Sequence, residues 1–208
     1  MSKTICLALT GASGMPYGLR LLECLLEAGC RVQLLYSQVA QIVARQEMTL
    51  DLPARASEAQ AFFRGRYAAL PGTLTVYGRE EWFAPVASGS NPPEAMIVCP
   101  CTMGTLAAIA QGLASNLIER AADVVLKEGR KLILVPRETP LSALHLENML
   151  RLARCGAVIL PPNPGFYQHP ARIEDLVDFV VARILDQLAV PHALMGRWGD
   201  ADAGEPQR

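Results

Sequence analysis

Two cations near the middle of the chain have the spacing of an anion-binding site. Arg120 and Lys127 are seven residues apart, so they share one face of a helix, two turns apart. The residues between them are mostly apolar, and a largely covered helix favours an anion site over a solvated charge stripe. Arg183 lies among apolar residues late in the chain, a setting more typical of an ion pair or a subunit contact. Together these cations could stabilise negative charge on a ligand without a metal ion.

A glycine-rich turn follows the first apolar run of the chain. Gly11 and Gly14 let the backbone approach a ligand closely, and free N–H groups at the start of the next helix attract anions. The turn overlaps a dinucleotide fingerprint, but Ser37, rather than an acidic residue, follows the second apolar run. A hydroxyl there suits a phosphate better than a ribose diol, which disfavours a nicotinamide dehydrogenase. The alternative is an ordinary tight turn between a strand and a helix.

Two later segments also place polar groups after buried runs. Residues 102–105 follow one run and can present N–H and O–H donors, although ordinary helix capping by Thr102 is an equal alternative. After the next run, Thr139 is predicted to cap a helix that begins at the following proline. Arg137 and Glu138 would then be fixed at the mouth of a ligand crevice, unless they form a structural ion pair.

Two irregular segments carry aromatic side chains. The stiff, proline-rich run at 161–167 ends in Tyr167, which could donate to a phosphate or pack at a subunit contact. The segment 77–93 contains Trp82, a Ser-Gly-Ser triplet and two adjacent prolines. We predict that it is a long ordered loop with a functional role.

Short apolar runs alternate with helical patterns along the chain, which predicts an α/β domain with a parallel sheet covered on both faces. In such a sheet, ligands bind beyond the carboxyl ends of the strands, where the polar segments described above lie. The predicted strands are 5–9, 32–36, 96–98, 132–135 and 158–160. The predicted helices are 15–28, 38–46, 55–64, 103–112, 116–128, 140–154 and 173–188.

The composition is typical of one globular domain, with 208 residues, 51% of them hydrophobic and 19% charged. A net charge of −1 gives no overall attraction to nucleic acid or to an anionic membrane. No apolar run approaches the roughly 20 residues needed to span a bilayer. Six cysteines without a secretory leader predict reduced thiols in the cytoplasm, and no zinc pattern is present. We predict a domain at 1–195 and a disordered tail at 196–208.

Taken together, these segments resemble the flavin prenyltransferases (the UbiX family), within the homo-oligomeric flavin-containing decarboxylase-like proteins. The resemblance covers residues 3–188 and is most specific at 116–124 and 134–142. It implies a single Rossmann-like, flavodoxin-related three-layer domain that forms a dodecamer with active sites at subunit contacts. It also implies a metal-independent transferase that joins the five-carbon group of dimethylallyl phosphate to N5 and C6 of reduced FMN. The prenylated FMN would serve a UbiD-type decarboxylase, in ubiquinone synthesis or aromatic-acid decarboxylation.

The resemblance assigns roles to individual positions. Those that would hold FMN are Gly11, Ala12, Ser13, Ser37, Thr102, Met103, Gly104, Thr105 and Arg137. Those that would surround the prenyl phosphate, partly across subunits, are Ser88, Arg120, Lys127, Glu138, Tyr167 and Arg183. Trp82 would flank the dimethylallyl chain, and Ser13 and Glu47 would lie near flavin N5. Threonine at 102 replaces the serine of many relatives and keeps the hydroxyl.

The catalytic candidates are Ser13, Glu47 and Glu138. Glu47 is predicted to accept the N5 proton, and Glu138 or the phosphate itself to shuttle protons. One alternative is a flavin-dependent decarboxylase of the same fold. Such relatives use a histidine near the first helix, whereas all three histidines here lie at or beyond residue 145. A second alternative is a flavin carrier without catalysis.

Overall fold

A computed structural model describes residues 2–196, which contain six strands and seven α-helices. The strands are β1 (Thr4–Leu9), β2 (Arg31–Tyr36), β3 (Thr73–Val76), β4 (Ala95–Cys101), β5 (Lys131–Pro136) and β6 (Val158–Ile159). The helices are α1 (Met15–Glu27), α2 (Gln38–Met48), α3 (Ala56–Arg66), α4 (Met103–Ala110), α5 (Leu117–Lys127), α6 (Ala143–Arg154) and α7 (Ile173–Leu188).

All the strands belong to one sheet with the order β3-β2-β1-β4-β5-β6, and every pairing is parallel. The chain runs outwards from β1 in one direction and, after β3, returns to build the other half from β4. The order therefore reverses between β1 and β4. In open parallel sheets a ligand crevice forms at such a point, beyond the carboxyl ends of the strands.

Two apolar cores cover the faces of the sheet and make the domain a three-layer structure. One core joins α1, α3 and α7 to the face that carries Leu7 of β1. The other joins α4, α5 and α6 to the face that carries Ala8. Because successive strand residues point to opposite faces and both faces are covered, β1 and β4 are apolar almost throughout. The predicted parallel α/β fold is confirmed.

The sequence-based element boundaries are close to those of the structure, with one omission. Strand β3 was not predicted, because it is a short edge strand whose threonines alternate with apolar residues. The predicted ordered loop at 77–93 is confirmed, and it contains one 3-10 turn at Pro85–Ala87. The tail was predicted at 196–208, and all of it except Gly196 lies outside the described residues.

Helix α6 begins three residues later than predicted. Its N-cap is Ser142, whose Oγ accepts from His145 N at 3.3 Å, while His145 Nδ1 accepts from Ser142 N at 3.2 Å. This reciprocal pair satisfies two N–H groups at the helix start. The prediction that Thr139 caps the helix was wrong, because its hydroxyl donates to the carbonyl of Glu138 instead, at 2.8 Å.

Candidate flavin site and phosphate-binding groups

A cavity of about 250 Å³ opens at the point where the strand order reverses, beside the carboxyl ends of β1, β2 and β4. We call it the flavin cavity. A second cavity of about 250 Å³ shares Ser37, Gln38 and Arg79 with it. The residues that line the flavin cavity are Thr10, Gly11, Ser37, Gln38, Val39, Arg79, Thr102, Thr105, Asn116 and Ile118.

Hydroxyl groups in the flavin cavity are held by the starts of two helices. Ser37 caps α2, and its Oγ accepts from Ala40 N at 3.1 Å. Thr102 caps α4 and accepts from Thr105 N at 3.0 Å, with the two threonine hydroxyls 2.9 Å apart. Both capping residues precede a helix N-terminus, where N–H groups and the helix dipole favour an anion. This geometry fits the phosphate and polar chain of FMN.

The buried Thr10 side chain joins the ends of two strands beneath the cavity. Its Oγ1 donates to the Pro100 carbonyl at 2.8 Å and accepts from Thr102 N at 2.8 Å. The ends of β1 and β4 are thereby fixed relative to each other. Thr10 was not a predicted site residue, because a hydroxyl inside a strand-end motif does not reveal its partner 92 residues away.

Gly11 is the position where the chain passes closest to helix α2. A Cβ added there would lie 2.3 Å from Val39 Cγ1, so only glycine leaves room for the turn beside the cavity. Of the other predicted flavin-binding residues, Ala12 and Met103 are buried, whereas Gly104 is exposed at the start of α4. Glycine at position 11 is therefore explained by the packing of the turn against Val39 of α2.

The start of helix α1 is already occupied by an anion from the chain itself. Gly14 N–H donates to both carboxylate oxygens of Glu47, at 3.1 and 3.0 Å, and Met15 N–H donates to one of them at 2.8 Å. The next residue is Pro16, which has no N–H. The expected free N–H groups at this helix start are therefore bound to Glu47. The exposed Ser13 is adjacent to Gly14, so the structure brings Ser13 and Glu47 together.

Two predicted phosphate-binding residues, Arg120 and Lys127, lie on α5, and a third, Ser88, lies in the loop that contacts this helix. We call these three residues the phosphate half-site. Arg120 Nε donates to the carbonyl of Ala87 at 3.0 Å, so the residue before Ser88 contacts this arginine. Lys127 follows two turns along the same helix. Asp123 pairs with Arg120 at 2.7 Å and Glu128 pairs with Lys127 at 2.5 Å.

The remaining residues predicted near the ligand are exposed at the surface. Arg137 N donates to Cys101 O at 3.3 Å, which fixes the residue beside the end of β4. Glu138 Oε1 accepts from Thr139 N at 3.2 Å, and no ion pair joins Glu138 to Arg137 in the part of the chain that the structure describes. The Trp82 side chain is 45% exposed in the long loop. Arg137 and Glu138, which follow β5, therefore present polar groups at the carboxyl end of the sheet.

Tyr167 and Arg183 lie apart from the phosphate half-site, and we call this pair the α7 half-site. Arg183 pairs with Asp186 at 2.9 Å on α7. The Tyr167 ring packs edge-on against Phe179 of the same helix, with centroids 5.7 Å apart. Since α7 and α5 cover opposite faces of the sheet, one chain does not bring the two half-sites together.

An open groove of about 950 Å³ lies between α1 and α7. Arg20 lies in it and pairs with Glu23 at 2.7 Å and with Asp178 at 2.8 Å, so its charge is already neutralised. Of the predicted site residues, only Glu47 reaches this groove. The smaller cavity at the strand ends matches the chemistry of a flavin better.

Two thiols at the end of β4 are structural. Burial raises the pKa of Cys101 to about 12, and burial also raises the pKa of Cys99. Both thiols therefore remain protonated at neutral pH and cannot act as thiolate nucleophiles. They fill the two cores on either side of the strand that supports the cavity.

Sequence reasoning missed five residues of the flavin cavity besides Thr10: Gln38, Val39, Arg79, Asn116 and Ile118. Asn116 caps α5 by accepting from Ile118 N and Glu119 N, at 3.0 and 3.1 Å. Arg79 O accepts from Leu117 N at 2.9 Å, so the long loop folds back onto the start of α5. The helix-capping pattern at Asn116 could have been recognised in the sequence. Nothing in the sequence indicates that the loop at Arg79 folds back onto α5.

Comparison with known proteins places the chain among flavin-binding proteins. Residues 1–185 match the family model described as Flavoprotein. The chain is 55% identical over 196 residues to the flavin prenyltransferase UbiX of Pseudomonas aeruginosa, covering 94% of each protein. Within residues 2–196, no helix has the length and apolar character needed to cross a bilayer.

Two solved structures are similar over almost the whole chain. The crystal structure of AnUbiX (PadA1) in complex with FMN and dimethylallyl pyrophosphate has a TM-score of 0.85 at 40% identity, covering 95% of this chain and 98% of that one. The dodecameric FMN-dependent UbiX-like decarboxylase from Escherichia coli O157:H7 has a TM-score of 0.83 at 42% identity, covering 94% and 98%.

Proposed function

The chain belongs to the flavin prenyltransferase family, and we propose that it joins the five-carbon group of dimethylallyl phosphate to N5 and C6 of reduced FMN. The bond between the allylic carbon and the phosphate oxygen breaks, and inorganic phosphate leaves. The observation that carries the proposal is the presence of two cations against the loop that carries Ser88, in addition to a separate cavity that fits a flavin.

The flavin cavity would bind FMN through groups that the fold has already oriented. Ser37 and Thr102 would donate to its polar chain and phosphate at two helix starts. Gly11 would contact FMN through its backbone, and Arg137 would reach the site from the end of β5. Bound reduced FMN supplies the electron-rich atoms that accept the dimethylallyl group. The protein groups bind and orient it.

The phosphate half-site would stabilise the charge that develops on the leaving group. The Arg120 guanidinium is held at Nε by a carbonyl and at Nη1 by Asp123, which leaves Nη2 to donate to a phosphate oxygen. Lys127 and Ser88 would donate to the other oxygens. Donors that are in place before the reaction need little reorganisation as the C–O bond breaks.

Proton transfer is assigned to the carboxylates and the hydroxyl beside the flavin. Glu47 would accept a proton at flavin N5, assisted by the neighbouring Ser13, and Glu138 would move a proton at the phosphate end. The indole of Trp82 would lie against the dimethylallyl chain, where an aromatic face favours allylic positive charge.

We propose that several copies of the chain complete each active site. The two half-sites lie on opposite faces of one sheet, so Tyr167 and Arg183 would reach the phosphate only from a neighbouring copy. The dodecameric relative supports a homo-oligomer of this kind. A cytoplasmic location suits the six free thiols, and the prenylated flavin would pass to a UbiD-type decarboxylase.

The test is an anaerobic incubation of the protein with FMN, dithionite and dimethylallyl phosphate, followed by mass spectrometry of the extracted flavin. We expect a flavin heavier by one five-carbon unit, and stoichiometric release of inorganic phosphate. A parallel incubation with dimethylallyl pyrophosphate identifies the preferred ester. Bound but unmodified FMN with both esters would contradict the proposal and indicate a flavin carrier.

A further inference from the structure

The segment Pro85–Ser90 crosses helix α5 at both cations of the phosphate half-site. At one end, the carbonyl of Ala87 accepts from Arg120 Nε at 3.0 Å. Two residues later, Gly89 lies directly over the ion pair between Lys127 and Glu128. The same short stretch of backbone therefore contacts the side chains of both cations.

Gly89 occupies a position with no room for a side chain. A Cβ added there would lie 2.1 Å from Glu128 Oε1 and 2.5 Å from Lys127 Nζ, and both distances are shorter than any real contact. The backbone of Gly89 is not in the left-handed region, so the requirement for glycine is one of space. The absent side chain is what allows the backbone and the ammonium group to approach each other.

The loop on either side of Gly89 is held by its own hydrogen bonds. The hydroxyls of Ser88 and Ser90 are 2.9 Å apart, and Ser90 N donates to Ser88 Oγ at 3.3 Å. Asn91 N donates to Ser88 O at 3.3 Å. Lys127 and Glu128, in contrast, meet the loop with the flexible ends of their side chains, which are 46% and 33% exposed. A methyl group at Gly89 would therefore displace these side-chain ends and leave the loop in place.

We infer that Gly89 is a positioning residue of the phosphate half-site, and that its lack of a side chain lets the Lys127 ammonium lie against the loop next to Ser88. This inference rests on the proposed function, in which Lys127 binds the departing phosphate. Glu128 acts as the counter-ion that holds the ammonium against the loop before the phosphate arrives. Gly89 itself does not contact the substrate, so its effect passes through Lys127.

The variant that tests this is Gly89→Ala. Displacing a charged group by about 1 Å can lower a rate by up to about a hundredfold, so we expect kcat/KM for dimethylallyl phosphate to fall about tenfold to a hundredfold. FMN affinity, measured by flavin fluorescence, and the Tm should not change, because the flavin cavity and the loop are left intact. The matched control is Gly65→Ala in α3, where an added Cβ meets nothing within 4 Å. It should leave the kinetics unchanged.

A double-mutant cycle with Lys127→Met separates action through Lys127 from a general disturbance. In the Lys127→Met background, Gly89→Ala should lower single-turnover kcat/KM no further. An equal loss in both backgrounds, an unchanged kcat/KM in the single variant, or a lowered Tm would each overturn the inference. If the wild-type chain fails to prenylate FMN in the same assay, the proposed function fails as well. If the wild-type chain prenylates FMN and Gly89→Ala has the same kcat/KM, only this inference fails.

Discussion

The carboxylate of Glu47 is held by the backbone of another helix. Its oxygens accept from the N–H groups of Gly14 and Met15, which are 33 and 32 residues earlier in the chain. A negative charge at this position also suits the positive end of the α1 dipole. Glu47 is therefore oriented before any ligand binds, and Ser13 is held next to it.

We predict that Glu47→Gln keeps FMN bound and slows prenylation by about a hundredfold or more, because a neutral amide cannot accept a proton. The amide also cannot accept with both of its heavy atoms, so α1 should lose part of its stabilisation and the Tm should fall. Single-turnover kinetics and FMN titration measure these two effects.

Glu58→Gln is the matched control for Glu47→Gln. Glu58 is a surface carboxylate on α3 that pairs with Arg55, and its side chain is 55% exposed. Its substitution should change neither prenylation nor FMN affinity. A Glu47→Gln enzyme with the wild-type rate would remove the catalytic assignment of Glu47.

The cysteines differ sharply in reactivity by position. Five of the six are buried, and burial raises the pKa of Cys6 and of Cys24 to about 12. We predict that a thiol reagent at pH 8 modifies only Cys155 in the native protein. Peptide mass spectrometry before and after unfolding measures this, and a Cys155→Ser variant should be unmodified until it unfolds. Rapid labelling of any buried cysteine in that variant would contradict the prediction.

At the residue scale, the sequence identifies groups that follow a strand directly. Ser37 and Thr102 were predicted for this reason, and both line the flavin cavity. The hydrogen bonds of Glu47 to α1 were not predicted, because they join groups that only the packing of α1 against α2 brings together. Arg79 was missed for a similar reason, since its loop folds back onto α5.

At the element scale, helix α7 has an acidic cap that makes its stability depend on pH. Asp175 Oδ2 accepts from the N–H groups of Ala171 and Arg172, at 2.9 and 3.0 Å. These hydrogen bonds, with that of Ala171 the largest cause, lower the pKa of Asp175 below 3.8. Because the pKa of Asp175 is lower in the folded state, ionised Asp175 stabilises the fold at pH values above its unfolded-state pKa. This stabilisation is lost as the pH falls through its folded-state pKa.

We therefore predict that Asp175→Asn lowers the Tm at pH 7 and that the difference from wild type shrinks as the pH falls below 3.8. Thermal unfolding across that pH range measures the effect. Glu174→Gln removes the same charge from the same helical turn and serves as the control. A Tm difference for Asp175→Asn that stays constant down to pH 2 would show that ionisation of Asp175 is not involved.

The order and type of the helices followed from hydrophobic periodicity, which is clearest in α1, α5 and α7, because each of these three helices buries six or more residues. The start of α6 could not be predicted in this way, because the sequence offers two residues that could cap the helix. The sequence allows a cap at Thr139 with proline next, whereas the structure has the reciprocal pair of Ser142 and His145. A reciprocal cap satisfies two N–H groups instead of one, which explains why it forms.

At the scale of the whole molecule, the separation of the two half-sites predicts complementation between subunits. Chains with Lys127→Met and chains with Arg183→Met should each keep only a small, measurable fraction of the wild-type rate alone, because each removes a cation from every site. When both are assembled together at random, about a quarter of the sites should contain both native residues. Prenylation in the mixed oligomer, compared with wild type, measures this recovery.

The control for complementation mixes two chains with lesions in the same half-site, Arg120→Met and Lys127→Met. These residues lie on one helix, so every chain brings a defective half-site and no activity should return. Failure of the first mixture to recover, in oligomers shown to contain both chains, would mean that one chain supplies all the cations.

The position of the sheet between α5 and α7 also predicts that turnover per chain depends on protein concentration. In the proposed assembly, a single chain carries the phosphate half-site and the α7 half-site on opposite faces of its sheet, so it would complete a neighbour's site and not its own. Newly synthesised monomers should therefore not react with dimethylallyl esters until they assemble into oligomers. Turnover per chain should collapse on extreme dilution and recover on reconcentration, while the affinity of each chain for flavin changes less.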